Sequence, residues 1–292
     1  MNIFTALVAG LLASNALAQP AVTLHHVHGL AYSADGKQLM IPSHHGLAIY
    51  RDGKWSKAPG LEHDYMGFSA TARNVYSSGH PAPRSGLLNP VGLIRSRDGG
   101  KTWEKLGLEG ETDFHLLSAG WNTNAIYVWN PAPSSRLKAA GLHFTLDDGR
   151  TWRRSDARGL GGELRALAAH PDEAAVLAVA TSDGLYLSPD SGEQFAKAAG
   201  GGEGLSVLFD LNGTEVWYGS FERGAKLTRV SLSGGSRVTV GLPPLSRDAV
   251  AYIAQNPAER LEYAIATFER SVYRSKDAGR TWSQIADRGT GK

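Results

Sequence analysis

The sequence predicts an all-β fold: a six-bladed β-propeller of four-stranded antiparallel blades. Two observations carry this. A turn motif recurs along the chain, and the stretches between its copies read as short strands separated by turn residues. The motif stands as "SRDGGKTW" (96–103), "TLDDGRTW" (145–152), "SPDSGEQF" (188–195) and "SKDAGRTW" (275–282). The starts lie 49, 43 and 87 residues apart, the last interval being close to two periods. A decayed copy, "SLSGGSRV" (231–238), fills that gap, and a shortened one, "YRDGKW" (50–55), precedes the first. Six units on such a period, each with four strands, predict six blades.

The first segment precedes the propeller. Residues 1–18, "MNIFTALVAGLLASNALA", read as a secretory signal peptide. The apolar stretch from Ile3 to Ala13 is too short to span a bilayer, and Ala16-Leu17-Ala18 resembles a cleavage site. The expected mature chain is one propeller domain, residues 19–292, periplasmic or secreted and without a membrane span.

The fourth unit shows the blade pattern best. "ELRALAAH", the turn "PDEA", "AVLAVATS", the turn "DG", "LYLSPDSGEQF" and "AKAAG" give four strands in order. The repeated octet falls between the third and fourth. Its aspartates, Asp98, Asp147, Asp190 and Asp277, are placed to accept backbone N–H bonds across the turn. Gly100, Gly149, Gly192 and Gly279 suit a left-handed position, and Trp103, Trp152 and Trp282 supply area for packing between sheets.

These octets resemble the Asp-box, or BNR, repeats of sialidases and of sortilin-like and photosystem-assembly propellers. "HVHGLAYSADGK", "HHGLAIYRDGKW", "HDYMGFS", "YSSGHPAP" and "DFH" also resemble a group of exported bacterial Asp-box propellers labelled glycosylhydrolase-like. The resemblance spans the chain after residue 18 and implies the fold; a repeat of this kind implies little about activity.

Composition excludes several functions. Thirty Lys and Arg against 28 Asp and Glu give a net charge of +2, with no basic run to track nucleic-acid phosphates. The absence of cysteine removes disulfides, thiolate metal sites and Cys nucleophiles. A monomer is expected.

Strand direction alternates within a blade, so connections sort onto two faces. The Asp boxes mark one face. The opposite face receives two long loops, "SSGHPAPRSGLLNP" (77–90) and "NPAPSSRLKAAG" (130–141), and long loops on a rigid scaffold commonly carry function. Nine of the ten histidines map to or near that face; His170 is the exception. His28, Asp64 and His115 align at equivalent positions of the innermost strands of blades 1 to 3. The expected metal ligands are therefore His28, His44, His80 and His115, with His45, His63 and Asp64 as further ligands or supporting partners. Imidazoles with a carboxylate suit zinc, copper(II), nickel or iron, and copper or zinc is the ion expected. His25 and His26 read as the run-in, outside the ligand set.

Two alternatives stand beside a metal site. A sialidase-type glycoside hydrolase would place arginines on an anionic sugar, and Arg165, Arg223 and Arg270 fall on the second half of the ring. Met40 stands where the first-blade arginine of sialidases is expected. Any enzyme would then be a hydrolase or a metal-dependent activity. A non-catalytic platform would instead use the loop-bearing face for a small-molecule, glycan or protein ligand.

Overall fold

The computed structural model describes residues 22–292, so the leader read at residues 1–18 lies outside the described residues. These residues form six antiparallel sheets and no helix. Blade 1 is β1 (Ala31–Tyr32), β2 (Leu39–Ser43), β3 (Gly46–Arg51) and β4 (Lys54–Lys57). Blade 2 is β5 (Asp64–Ala70), β6 (Val75–His80), β7 (Leu93–Ser96) and β8 (Glu104–Gly107). Blade 3 is β9 (Leu117–Ala119), β10 (Ile126–Asn130), β11 (Gly141–Thr145) and β12 (Arg153–Arg154). Blade 4 is β13 (Leu164–Ala169), β14 (Leu177–Thr181), β15 (Gly184–Ser188) and β16 (Ala196–Ala199). Blade 5 is β17 (Glu203–Phe209), β18 (Glu215–Phe221), β19 (Ala225–Ser231) and β20 (Arg237–Val240). Blade 6 is β21 (Val250–Gln255), β22 (Tyr263–Thr267), β23 (Val272–Ser275), β24 (Ser283–Asp287) and a fifth strand, β25 (Thr290–Gly291).

The fifth strand is where the ring closes. Thr23 bridges Thr290, and the Leu24 N–H donates to Gly289 O at 2.6 Å. The chain then crosses to blade 1, where Val27 bridges Ser43. Trp55 seals the same junction by donating its indole N–H to Ile285 O at 2.8 Å. Leu24, Ile41, Ala266 and Ile285 share one buried cluster across the two blades.

All six turn-motif copies join the third and fourth strands of their blades. In the first full box, Asp98 Oδ1 accepts the Lys101 and Thr102 N–H groups at 3.1 and 2.9 Å. Its Oδ2 accepts the Thr102 hydroxyl at 2.7 Å. Gly100 has φ +89°, and a Cβ there would lie 2.5 Å from Leu47 Cδ2 of blade 1. The same collision recurs at Gly149 with Leu93, Gly192 with Leu142 and Gly279 with Val240. The box glycine therefore serves two purposes: the turn needs a left-handed residue, and the preceding blade packs an aliphatic side chain against it.

The innermost strands surround a channel of about 290 Å³. Serines stitch neighbouring inner strands: the Ala119 N–H donates to Ser69 Oγ at 2.9 Å, and the Ala169 N–H to Ser118 Oγ at 3.0 Å. This stitching makes the channel wall continuous from blade to blade, giving the residues at its mouth a fixed mounting.

Candidate metal centre

Cross-strand pairing builds the first ligand group. The His28 N–H donates to Pro42 O, and the His44 N–H to His25 O, each at 3.1 Å. This lays residues 25–28 alongside the β2–β3 turn. His26 and His28 come together there, their rings stacked with centroids 6.4 Å apart. His44 meets both, with centroid separations of 4.5 Å to His26 and 5.0 Å to His28. Asp64, the first residue of β5, reaches over from blade 2. Its Oδ2 lies 3.3 Å from His44 Nδ1 and its Oδ1 3.9 Å from His28 Nε2.

The second group joins blades 2 and 3. His80 ends β6, and Asp113 and His115 lie just before β9. Asp113 Oδ2 is 2.8 Å from His115 Nε2 and 3.2 Å from His80 Nε2. His80 Nδ1 sits 2.7 Å from Asn89 Oδ1. A carboxamide oxygen only accepts, so Nδ1 carries the proton. In a neutral ring, Nε2 then turns a lone pair toward the carboxylate. That approach needs a proton or a metal cation between the two.

In each group the ligand atoms lie within 4.8 Å of one another. A tetrahedral ion with bonds of about 2.0–2.1 Å holds its ligand atoms about 3.3–3.4 Å apart. The His44–Asp64 and His80–Asp113 separations match that spacing. The other two lie about half an ångström to either side of it. His28 Nε2, Asp64 Oδ1 and Asp113 Oδ1 are buried and have no hydrogen-bond partner. Leaving such an atom unsatisfied costs about 1–3 kcal/mol. His28 Nε2 and Asp64 Oδ1 belong to the first group and Asp113 Oδ1 to the second.

Charge state favours ligation at His28. Burial pushes its pKa down to about 4 against the pull of Asp64, so near neutral pH the ring is the uncharged form that binds metals. His115 is raised instead, first by its hydrogen bond to Asp113.

The four expected histidine ligands thus divide into two groups, His28 with His44 and His80 with His115. Each group has its own carboxylate. Asp113 is absent from the ligand set read from sequence, although "DFH" held a signal: Asp113 and His115 are two apart, on one side of an extended chain. His63 has another task. It is buried, its Nδ1 accepts the Ala82 N–H at 2.8 Å, and its ring stands edge-on to Tyr65. It ties the blade 1–2 link to the long β6–β7 loop. His45 is exposed and meets His25 edge-on at a centroid distance of 5.0 Å. His170, on the Asp-box face, is structural: its Nδ1 accepts the Asp172 and Glu173 N–H groups, and its Nε2 donates to Gly213 O.

The three arginines do not share a pocket. Arg165 lines the channel and pairs with Glu203 at 2.9 Å and Glu163 at 3.0 Å. Arg270 lines an adjoining cleft of about 430 Å³ beside His26 and His28. Arg223 lines neither and is exposed in the β18–β19 turn. Glu222 pairs with Lys226.

Comparison with known proteins bears on the fold. A family model described as BNR/Asp-box repeat matches residues 94–105. No curated protein matches the sequence. Among solved structures, the chain is similar to a GH74 enzyme of Niastella koreensis at 14% identity and a TM-score of 0.60, over 91% of this chain and 46% of that one. It is also similar to an ancestral GH74 enzyme, at 12% identity and a TM-score of 0.53, over 91% and 39%. A structure of YCF48 bound to D1 peptide aligns at 17% identity and a TM-score of 0.52, over 91% and 83%. The chain spans less than half the length of either GH74 enzyme. At these identities the likeness concerns architecture: the protein is a six-bladed β-propeller carrying Asp-box repeats.

Proposed function

We propose that this propeller is an exported metal-binding protein, holding copper(II) or zinc in the groups His28–His44–Asp64 and His80–Asp113–His115. The observation that carries the reading is the set of buried, unpartnered ligand atoms, His28 Nε2, Asp64 Oδ1 and Asp113 Oδ1, inside those groups. Three protein ligands per ion leave a coordination position open, the arrangement used where an ion is exchanged or reacts rather than locked into a fold. The test is metal analysis of the purified, untagged protein after incubation with copper or zinc salts. Each group should retain an ion, and a His28→Ala/His115→Ala variant should lose them. A wild-type protein that stays metal-free ends the proposal.

A docking platform is the second reading, and one observation favours it. Leu61, Leu88, Trp129 and Phe268 are exposed apolar side chains in links, loops or strand ends of the loop-bearing face. The glycosidase reading has less to draw on, because Arg165 is already paired with two glutamates.

A further inference from the structure

Three histidines beside the first ligand group, His25, His26 and His45, belong to neither group. His25, His26 and His45 are exposed, and among the described residues their side chains make no hydrogen bond or ion pair. Their placement follows from the pairing of residues 25–28 with the β2–β3 turn. His26 has φ +48°, a left-handed conformation uncommon outside glycine. Adjacent residues of a regular strand point apart. The kink lets His25 and His26 both reach the His44–His45 turn, one against each ring.

We propose that His25, His26 and His45 form an entry relay that passes a divalent transition-metal ion to His28, His44 and Asp64. The inference rests on the metal-binding reading above and adds the route by which that group is loaded. The rings form a graded series. His25 and His45 are exposed, 5.0 Å apart between centroids. His26 follows, 4.5 Å from His44, and His44 is in turn 5.0 Å from His28. Side-chain exposure falls along the inner part of the series, from 39% at His44 to 20% at His28 and 18% at Asp64. His26 and His28 also line one cleft, beside Glu269 and Arg270.

The physics is stepwise ligand exchange. A hydrated ion loses one water to an outer imidazole. It then forms a bond to the next ring as the first bond breaks, and its oxidation state is unchanged throughout. Two imidazoles without a carboxylate hold an ion loosely. The inner group adds the Asp64 charge and the buried His28 nitrogen, so the ion moves inward down a gradient of affinity. Capture at the rim raises the ion concentration next to the inner group by coordination, an effect comparable in kind to the local accumulation that in charged clefts multiplies on-rates about 10–1000-fold.

The experiment uses the full metal-free protein and zinc delivered from its nitrilotriacetate complex. Stopped-flow mixing gives the loading rate; chelator competition gives equilibrium affinity. In a His25→Ala/His26→Ala/His45→Ala variant, loading should slow by about tenfold or more. Affinity should move by less than about twofold, against the about 10–100-fold loss expected when a group supporting the metal is removed. Loss of affinity in step with rate would make these residues ligands and overturn the relay; an unchanged loading rate would overturn it as well. If the triple variant misfolds, His45→Ala alone must slow loading at unchanged affinity. A wild-type protein that takes up no zinc fails the metal-binding reading itself, and the relay falls with it.

Discussion

Asp64→Asn separates a metal-binding carboxylate from a structural one. The change keeps the side-chain shape and removes the charge. Without metal, Asp64 offers little stabilisation: Oδ1 has no donor and Oδ2 faces His44 at 3.3 Å. A partly exposed pair of that kind contributes about 0–1 kcal/mol. Relief of an unsatisfied carboxylate oxygen works in the opposite direction at similar size. The metal-free variant should therefore melt within a few degrees of wild type. With metal at about one hundred times Kd, binding stabilises the wild type by about 2.7 kcal/mol. At about 2–4 °C per kcal/mol for a chain of this order of size, that raises Tm by about 5–10 °C. Differential scanning fluorimetry with and without zinc reads both quantities. To isolate the first group, the comparison is made in a His80→Ala/His115→Ala background. The shift should vanish in Asp64→Asn. A full zinc shift in that variant refutes the role given to Asp64. A large loss of metal-free stability would show that the carboxylate is structural.

The other predictions concern the scaffold and its histidines. Gly100→Ala puts a methyl 2.5 Å from Leu47 Cδ2 at φ +89°, whereas Gly53→Ala, at φ +76°, meets nothing within 4 Å. Urea unfolding should show a loss of about 2–4 kcal/mol for the first and about 1–2 kcal/mol for the second, and equal losses would refute the inter-blade contact. The Asp277 carboxyl is held at about 2 by the Thr281 hydroxyl and N–H and by the Ser275 hydroxyl. A depressed carboxylate pKa adds stability that is complete above the unfolded value near 4 and is lost as pH falls toward about 2. Acid titration of Asp277→Asn, followed by tryptophan fluorescence, should accordingly show a weaker pH dependence in that window. His170→Ala strips partners from the Asp172 and Glu173 N–H groups and from Gly213 O. It should cost about 2–3 kcal/mol in urea at unchanged metal content, and metal loss would contradict its structural role.

The blades were legible because the box is a local device. Asp98 bonds to N–H groups three and four residues on, so one octet contains both the turn and the reason for it. The close approach of Leu47 to Gly100 was not legible, since it joins positions in different blades whose spacing no local pattern encodes. The same limit applies at the candidate centre. Repeat alignment placed His28, Asp64 and His115 at one level of three blades, which holds for the His28–Asp64 approach. It did not foresee that Asp113, two residues before His115, would take both His115 and His80. Side-chain reach across a blade boundary decides that pairing. His63 was ambiguous for a similar reason: one residue from Asp64, it turns inward and meets Ala82.

The bridge between Thr23 and Thr290 has a consequence for biosynthesis. It joins segments at opposite ends of the circle, so its formation carries the full entropic cost of closing a very long loop. A nascent chain cannot make this bridge before β25 has been synthesised. Until then, residues 22–24 lack their partners on blade 6, whereas residues 25–28 pair with the β2–β3 turn of blade 1. Closure of the ring is therefore a post-translational event: the ribosome must deliver the last strand before residues 22–24 can be fastened to it.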